Sequence, residues 1–215
     1  MIKLKYKEKP KKITRYFSNI LNDYIDLIES ADGKKILKSP GIDYIYGLNR
    51  RIFIKAMRNI SIKKTSNILL VGLGDSSIIS ILRDTFNYKG TVNVLELDQT
   101  LIDIAVQDFD LQKDPNINII RGDAADLLPT LSLKNELSII NLFVEPFLNK
   151  KCFTIAFWEC IINTLSPKGT VLFNTNSVYS NNINHIIGYM NRKGFSSVQY
   201  QIKGYQDIYI WKSNF

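Results

Sequence analysis

The chain has 215 residues, 45% of them apolar and 22% charged, which suits one ordinary α/β domain with at most a small extra element at one end. That balance fits neither a long disordered chain nor a collagen nor a coiled coil. The longest apolar runs, such as Ile68 to Val71 and Val171 to Phe173, are strand-sized and far short of the roughly 18 apolar residues that a membrane span requires. In Met1-Ile2-Lys3-Leu4-Lys5-Tyr6-Lys7-Glu8-Lys9 the charges interrupt any apolar leader core, so the expectation is a cytoplasmic protein that does not contact membranes.

The net charge of +8 is unevenly spread. Residues 1–15 hold seven Lys or Arg against one Glu, whereas the remaining residues hold 21 basic and 19 acidic side chains. The folded body therefore has no excess that would draw in a polyanion. A lysine-rich arm could hold nucleic acid through phosphate contacts and counterion release, but a solvated, fraying terminus is the preferred reading of residues 1–15. Cys152 and Cys160 lie eight apart in a helical pattern and lack the partners of a zinc cage or redox pair. Both read as reduced core residues, and no metal centre is expected.

Along the chain, residues 24–30 and 35–39 alternate as two short strands joined by a turn at Asp32-Gly33. Residues 46–60 set Leu48, Ile52, Phe53, Ala56, Met57 and Ile60 at helical spacing, with Asn49, Arg50 and Lys55 assigned to the other face. Residues 16–60 thus form a hairpin and lead-in helix ahead of a main domain at 61–215. That domain repeats strand, turn and helix: strands at 67–71, 91–97, 117–121, 137–143 and 170–176, and helices at 76–86, 100–109, 124–131 and 152–165. Short, mostly apolar strands of this kind suit a parallel sheet covered on both faces, a Rossmann-like doubly wound α/β fold. After a helix at 182–193, strands at 197–203 and 205–211 are joined too tightly at Gly204 to be parallel, so an antiparallel pair closes the sheet.

The chemistry gathers where the first strand of the main domain meets its helix, at Val71-Gly72-Leu73-Gly74-Asp75-Ser76-Ser77. Gly72 and Gly74 allow a tight turn and close ligand approach, and the following helix start offers free N–H groups to an anion. Glu96, followed by Leu97 and Asp98, ends the next strand 24 residues after Gly72, where a carboxylate can accept both hydroxyls of a ribose. Arg121-Gly122-Asp123-Ala124 ends the third strand, where an Asp and an adjacent N–H can read an adenine edge. The competing reading makes Asp75, Asp98 and Asp123 helix N-caps, and for Asp98 it is the preferred one. A dinucleotide fingerprint would need glycine at Ser77, and a P-loop would need a Gly-Lys-Ser/Thr ending that this turn lacks. The ribose, adenine and amino-acid parts of S-adenosylmethionine suit the three loops better.

These three motifs resemble those of the class I methyltransferases, in particular their spermidine synthase-like branch. The hairpin, the helix beginning Tyr46-Gly47-Leu48-Asn49-Arg50 and the turn Leu165-Ser166-Pro167-Lys168-Gly169-Thr170 are similar to that branch as well. The resemblance implies an S-adenosylmethionine-dependent or decarboxylated-S-adenosylmethionine-dependent transferase. Gly72, Leu73, Gly74, Asp75, Glu96, Leu97, Asp123 and Ala124 would bind the cofactor, with Asp75 on its amino group, Glu96 on the ribose, and Asp123 with Ala124 on the adenine. Homodimerisation enters by the same analogy, and the small-molecule acceptor is not named by the residues.

One position departs from the branch. Where polyamine synthases carry a catalytic Asp on the fourth parallel strand, this chain has Asn141, a neutral amide that can hold a substrate but cannot take its proton. Glu145 is the candidate substitute base, against the reading of a solvated loop carboxylate. Tyr44 and Tyr46 are candidates for lining a substrate mouth. His185, on the late helix, reads as structural, and Phe153, Phe157 and Trp158 as core. The expectation is methyl transfer, which asks for alignment more than for a base. The alternatives are a divergent aminopropyltransferase and a non-catalytic adaptor with a basic arm.

Overall fold

The structure, a computed structural model, describes residues 10–40, 48–141, 150–175, 183–202 and 206–214. It opens with a three-stranded antiparallel sheet of β1 (Lys12–Ser18), β2 (Asp23–Glu29) and β3 (Lys35–Lys38). The hairpin expected from alternation is β2–β3, and Gly33 supplies the positive φ of its turn. The stretch 12–15, expected in a solvated arm, is instead paired in β1. Alternation could not flag this strand because its apolar residues face outward, Ile13 and Phe17 being 54% and 46% exposed. Its inward side is polar and hydrogen-bonded. Part of the arm's charge is also spent locally, with Lys11 on Glu29 and Arg15 gripping Asp26 through two nitrogens.

Helix α1 (Leu48–Met57) leads into the main sheet. The sheet contains β4 (Ile68–Val71), β5 (Val92–Glu96), β6 (Ile117–Arg121), β7 (Asn135–Asn141), β8 (Leu165–Thr175), β9 (Phe195–Ile202) and β10 (Gln206–Ser213). Its order is β6-β5-β4-β7-β8-β10-β9, with β4 to β8 parallel and β10 antiparallel to both neighbours. The last strand in sequence therefore inserts beside β8 and leaves β9 at the edge. Strand β8 begins at Leu165, earlier than its apolar run. Its Ser166-Pro167-Lys168-Gly169 turn is a bulge between the pairs Asn135↔Leu165 and Leu137↔Thr170. The intervening helices are α2 (Ser77–Ser80), continued by a π-helical turn at Ile81–Thr85, then α3 (Gln99–Asp108), α4 (Ala124–Leu127), α5 (Ile155–Asn163) and α6 (Asn184–Arg192).

The alternate residues of each central strand feed two cores. On one face Phe53, Ala56 and Met57 of α1 and the apolar side of α2 pack against Leu70, Val94, Ile139, Leu172 and Ile210. On the other, α4, α5 and α6 cover Leu69, Val71, Ile140 and an aromatic group in which Trp158 meets Phe173 and Trp211 at 4.9 and 5.3 Å between ring centroids. Trp158 satisfies its indole N–H on the Cys152 carbonyl at 3.0 Å. Helix α3 is shared: Ala105 joins the first core, while Leu101 and Ile104 meet Ile25, Leu27 and Leu37 of the small sheet.

Hydrogen bonds clamp the small sheet to α3: Tyr16 Oη donates to Asp108 at 2.9 Å, Ser18 Oγ donates to Asp98, and Thr100 Oγ1 donates to the Phe17 carbonyl at 3.1 Å. Removing residues 1–18 deletes β1 and these bonds, so the thermal midpoint is expected to fall by about 4–8 °C, the equivalent of roughly 2 kcal/mol. A midpoint unchanged within a degree would mean that β1 contributes no stability.

Candidate functional site

The register of the parallel strands sets the site. Val71 pairs with Leu95 and Glu96 with Arg121, so β4, β5 and β6 end nearly level. The ladder also runs past the strands: Gly72 N donates to the Leu95 carbonyl and Gly122 N to the Glu96 carbonyl, each at 2.9 Å. Three loops consequently leave the carboxyl edge side by side, where open α/β sheets place their ligands. Gly72 and Gly74 bend the first loop at φ 87° and 58°, in the left-handed region that glycine enters without a Cβ penalty, and Ser76 follows at φ 60°.

Glu96 is buried, 7% exposed, and bridges two of these loops. Its Oε2 accepts from Leu73 N at 2.7 Å and its Oε1 from Asp98 N at 2.8 Å. Burial pushes its pKa above the usual carboxylate range, and backbone donors, Asp98 N and Leu73 N foremost, pull against that. Each oxygen still has a free lone pair, so the carboxylate can accept hydroxyl donors as well. Asp75, also buried, accepts from Ser77 N at 3.1 Å and Ser77 Oγ at 2.8 Å. Desolvation pushes its pKa up to about 6, opposed by the Ser77 bonds and by the charge of Arg50.

Asp98 and Asp123 are both helix caps. Asp98 accepts from Thr100 N at 2.9 Å, and Asp123 from Ala125 N at 2.9 Å. The other oxygen of Asp123 faces Lys151 Nζ at 3.3 Å, which also grips Asp126 at 2.8 Å. Ala124 beside it is buried and Leu97 is half-buried. Asn141 ends β7 on the same edge with its amide engaged at both ends: Nδ2 donates to the Gly72 carbonyl at 3.3 Å, and Oδ1 accepts from Asn174 Nδ2 at 2.9 Å.

The loop tips thus gather Gly72, Leu73, Gly74, Asp75, Glu96, Leu97, Asp123, Ala124 and Asn141 along adjoining strand ends. Tyr44, Tyr46 and Glu145 lie outside the described residues. His185 is exposed, its Nε2 2.7 Å from the Phe153 carbonyl. The sequence reading missed Lys151, Asn174 and Arg50. Arg50, assigned to the polar face of its helix, is half-buried on the opposite side. The signal was its spacing, three residues before Phe53 and seven before Met57, which places it on the apolar stripe. Its Nη1 and the hydroxyl of Ser76 are buried without hydrogen-bond partners among the described residues. A cleft of about 630 Å³ lined by Lys134, Leu165, Pro167, Arg192 and Phe195 opens at the opposite end of the strands and contains none of these residues.

No protein-family model matches the chain. A probable spermidine synthase from Corynebacterium glutamicum superposes with a TM-score of 0.68 at 17% identity, covering 95% of this chain and 81% of its own. Human methyltransferase-like protein 13, solved in complex with SAH, superposes with a TM-score of 0.61 at 16% identity over 75% of this chain and 76% of that one. The fold is that of the class I methyltransferases. In sequence, 118 residues are 31% identical to the eEF1A lysine and N-terminal methyltransferase of Danio rerio, a stretch that is 50% of this chain but only 17% of that protein. The spermidine synthase match leaves too little of the chain uncovered for the small N-terminal sheet to fall outside it. The class I fold thus carries here the N-terminal addition expected from the resemblance to the spermidine synthase-like branch.

Asp75 gives a pH signature of known sign. Its folded pKa of about 6 exceeds the ordinary 3.8, so its contribution is fully present below pH 3.8 and is lost as pH rises through 6. The loss amounts to about 3 kcal/mol. Asp75→Asn keeps an acceptor for Ser77 without the charge, so its stability relative to the native chain is expected to rise between pH 4 and pH 7 in denaturant titrations. A constant difference across that range would contradict the buried, ionisable placement of Asp75.

Proposed function

We propose that the chain is an S-adenosylmethionine-dependent transferase that moves a methyl group to a small-molecule acceptor. The observation that carries this reading is the pair of buried carboxylates on neighbouring loops, Asp75 and Glu96, with Glu96 holding Leu73 N of the loop that carries Asp75 and the parallel register setting Asp123 and Ala124 alongside. The arrangement supplies an acceptor for an ammonium, a carboxylate with free lone pairs for vicinal hydroxyls, and a third loop for a purine edge. The SAH bound to human methyltransferase-like protein 13, the thioether left when S-adenosylmethionine gives up its methyl group, supports the same assignment.

When bound, such a sulfonium supplies an electrophilic methyl carbon. An acceptor aligned with that carbon would take the methyl group, the electron pair of the broken bond staying on sulfur as a thioether and the acceptor's proton going to solvent. The chain's own contribution is alignment and exclusion of water, which can supply much of the acceleration of such a displacement. Asn141 fits that role: tied to Gly72 and Asn174, it fixes the strand end against the glycine turn. Aminopropyl transfer to an amine is the second reading, favoured by the near-complete span of the spermidine synthase superposition. Asn141 weighs against it, because a neutral amide cannot draw a proton from the attacking amine.

Calorimetry on the purified chain tests the assignment. S-adenosylmethionine is expected to bind the native protein, and Glu96→Ala to weaken it by at least ~10-fold, the scale of one lost charge-assisted contact. Equal affinity in the two proteins would overturn the site. In parallel, decarboxylated S-adenosylmethionine with putrescine is expected to yield no methylthioadenosine above background, and a clear yield would favour aminopropyl transfer.

A further inference from the structure

The amino-acid end of the proposed site has more donors than the protein itself can satisfy. Arg50 projects from the first turns of α1, on the stripe that buries Phe53 and Met57 against the sheet face carrying Leu70, Ile139 and Leu172. Asn141 and Asn174 alternate with Ile139 and Leu172 along β7 and β8, and so belong to that same face at its carboxyl edge. Among the described residues, Arg50 Nη1 is buried with no hydrogen-bond partner, and Ser76 Oγ, on a residue 5% exposed, is likewise unpartnered. Ser76 follows Asp75 directly in the glycine turn, and the Arg50 charge is close enough to act on the Asp75 carboxylate. A guanidinium nitrogen withdrawn from water and left without an acceptor is costly. Asp75 accepts one donor from Ser77 on each oxygen and no hydrogen bond from Arg50 Nη1 among the described residues, which leaves a lone pair on each oxygen open to a ligand. An anionic group from outside the chain would relieve that cost.

We infer that Arg50 selects a nucleotide carrying an intact α-amino-acid tail, taking its α-carboxylate with the Ser76 hydroxyl while Asp75 takes the ammonium. This rests on the S-adenosylmethionine reading and sharpens it. A cation and an anion held at neighbouring points complement a zwitterion, and guanidinium is the side chain best shaped for a carboxylate. The decarboxylated nucleotide lacks the anionic group and carries one more net positive charge, so Arg50 repels it. Arg50 thereby acts as a specificity determinant that favours the methyl donor over the aminopropyl donor at the binding step.

The test is calorimetry on the full chain with three probes: S-adenosylmethionine, its decarboxylated form, and methylthioadenosine, which has no amino-acid tail. The native protein is expected to prefer S-adenosylmethionine over the decarboxylated form by ~10-fold or more. Arg50→Met should weaken S-adenosylmethionine by a similar factor, leave the decarboxylated form unchanged or tighter, and bind methylthioadenosine as the native chain does. Arg50→Lys, which keeps the charge but not the fork, should retain part of the preference. Loss of all three probes together in both variants would make Arg50 a structural residue and overturn the inference. So would equal affinity of the native protein for the carboxylated and decarboxylated forms, although that result leaves the site itself standing. If none of the three binds the native chain, the S-adenosylmethionine reading fails and takes this inference with it.

Discussion

A single buried carboxylate organises the carboxyl edge of the sheet. Glu96 holds the backbone N–H of Leu73 on one side and of Asp98 on the other, so the turn after β4 and the turn after β5 share one acceptor. The backbone bonds from Gly72 to Leu95 and from Gly122 to Glu96 extend the strand ladders into the same turns. The positions of the three loops are therefore coupled to the parallel register of β4, β5 and β6 and are not set loop by loop. Burying a charge there raises its pKa and costs stability. The residue is retained where that cost is offset by backbone donors and, on the proposed reading, by ligand hydroxyls.

Asn141 shows how one atom changes what an edge residue can do. An aspartate in this place would set a carboxylate oxygen against the Gly72 carbonyl, two acceptors facing one another. The amide instead donates to Gly72 and accepts from Asn174, bracing β4, β7 and β8 at the level of the glycine turn. The brace sits on the sheet face that α1 covers, so the amide, the glycine turn and Arg50 belong to one corner of the molecule. The geometry suits a reaction in which the protein aligns partners and leaves the proton to solvent.

Much of this was legible in the residues. Short apolar runs separated by glycine- and aspartate-bearing turns announced the parallel strands, and Asp98 followed by Gln99-Thr100 read correctly as a cap. The order of the last two strands was not legible, since either member of an antiparallel pair can lie beside β8; burial of Ile208 and Ile210 of β10 in the core that α1 covers is a tertiary outcome. Strand β1 was hidden because two of its inward residues, Tyr16 and Ser18, are held by hydrogen bonds to Asp108 of α3 and to its cap Asp98 that no hydrophobic pattern encodes. Arg50 was placed on the wrong face because charge was allowed to outweigh spacing. A cation on an apolar stripe is the kind of local inconsistency that marks a site. Lys151 could not be linked to Asp123 from sequence, because 28 residues separate them and the connection is made only when α4 packs near the residues preceding α5.

The central claim is that three loop tips grip one nucleotide together, and amide hydrogen exchange with and without S-adenosylhomocysteine tests it most directly. The account expects slowed exchange in concert at residues 72–77, 96–100 and 122–126, with no change at the cleft formed by Lys134, Pro167 and Phe195. Protection confined to one of the three loops, or appearing at the opposite edge of the sheet, would contradict it.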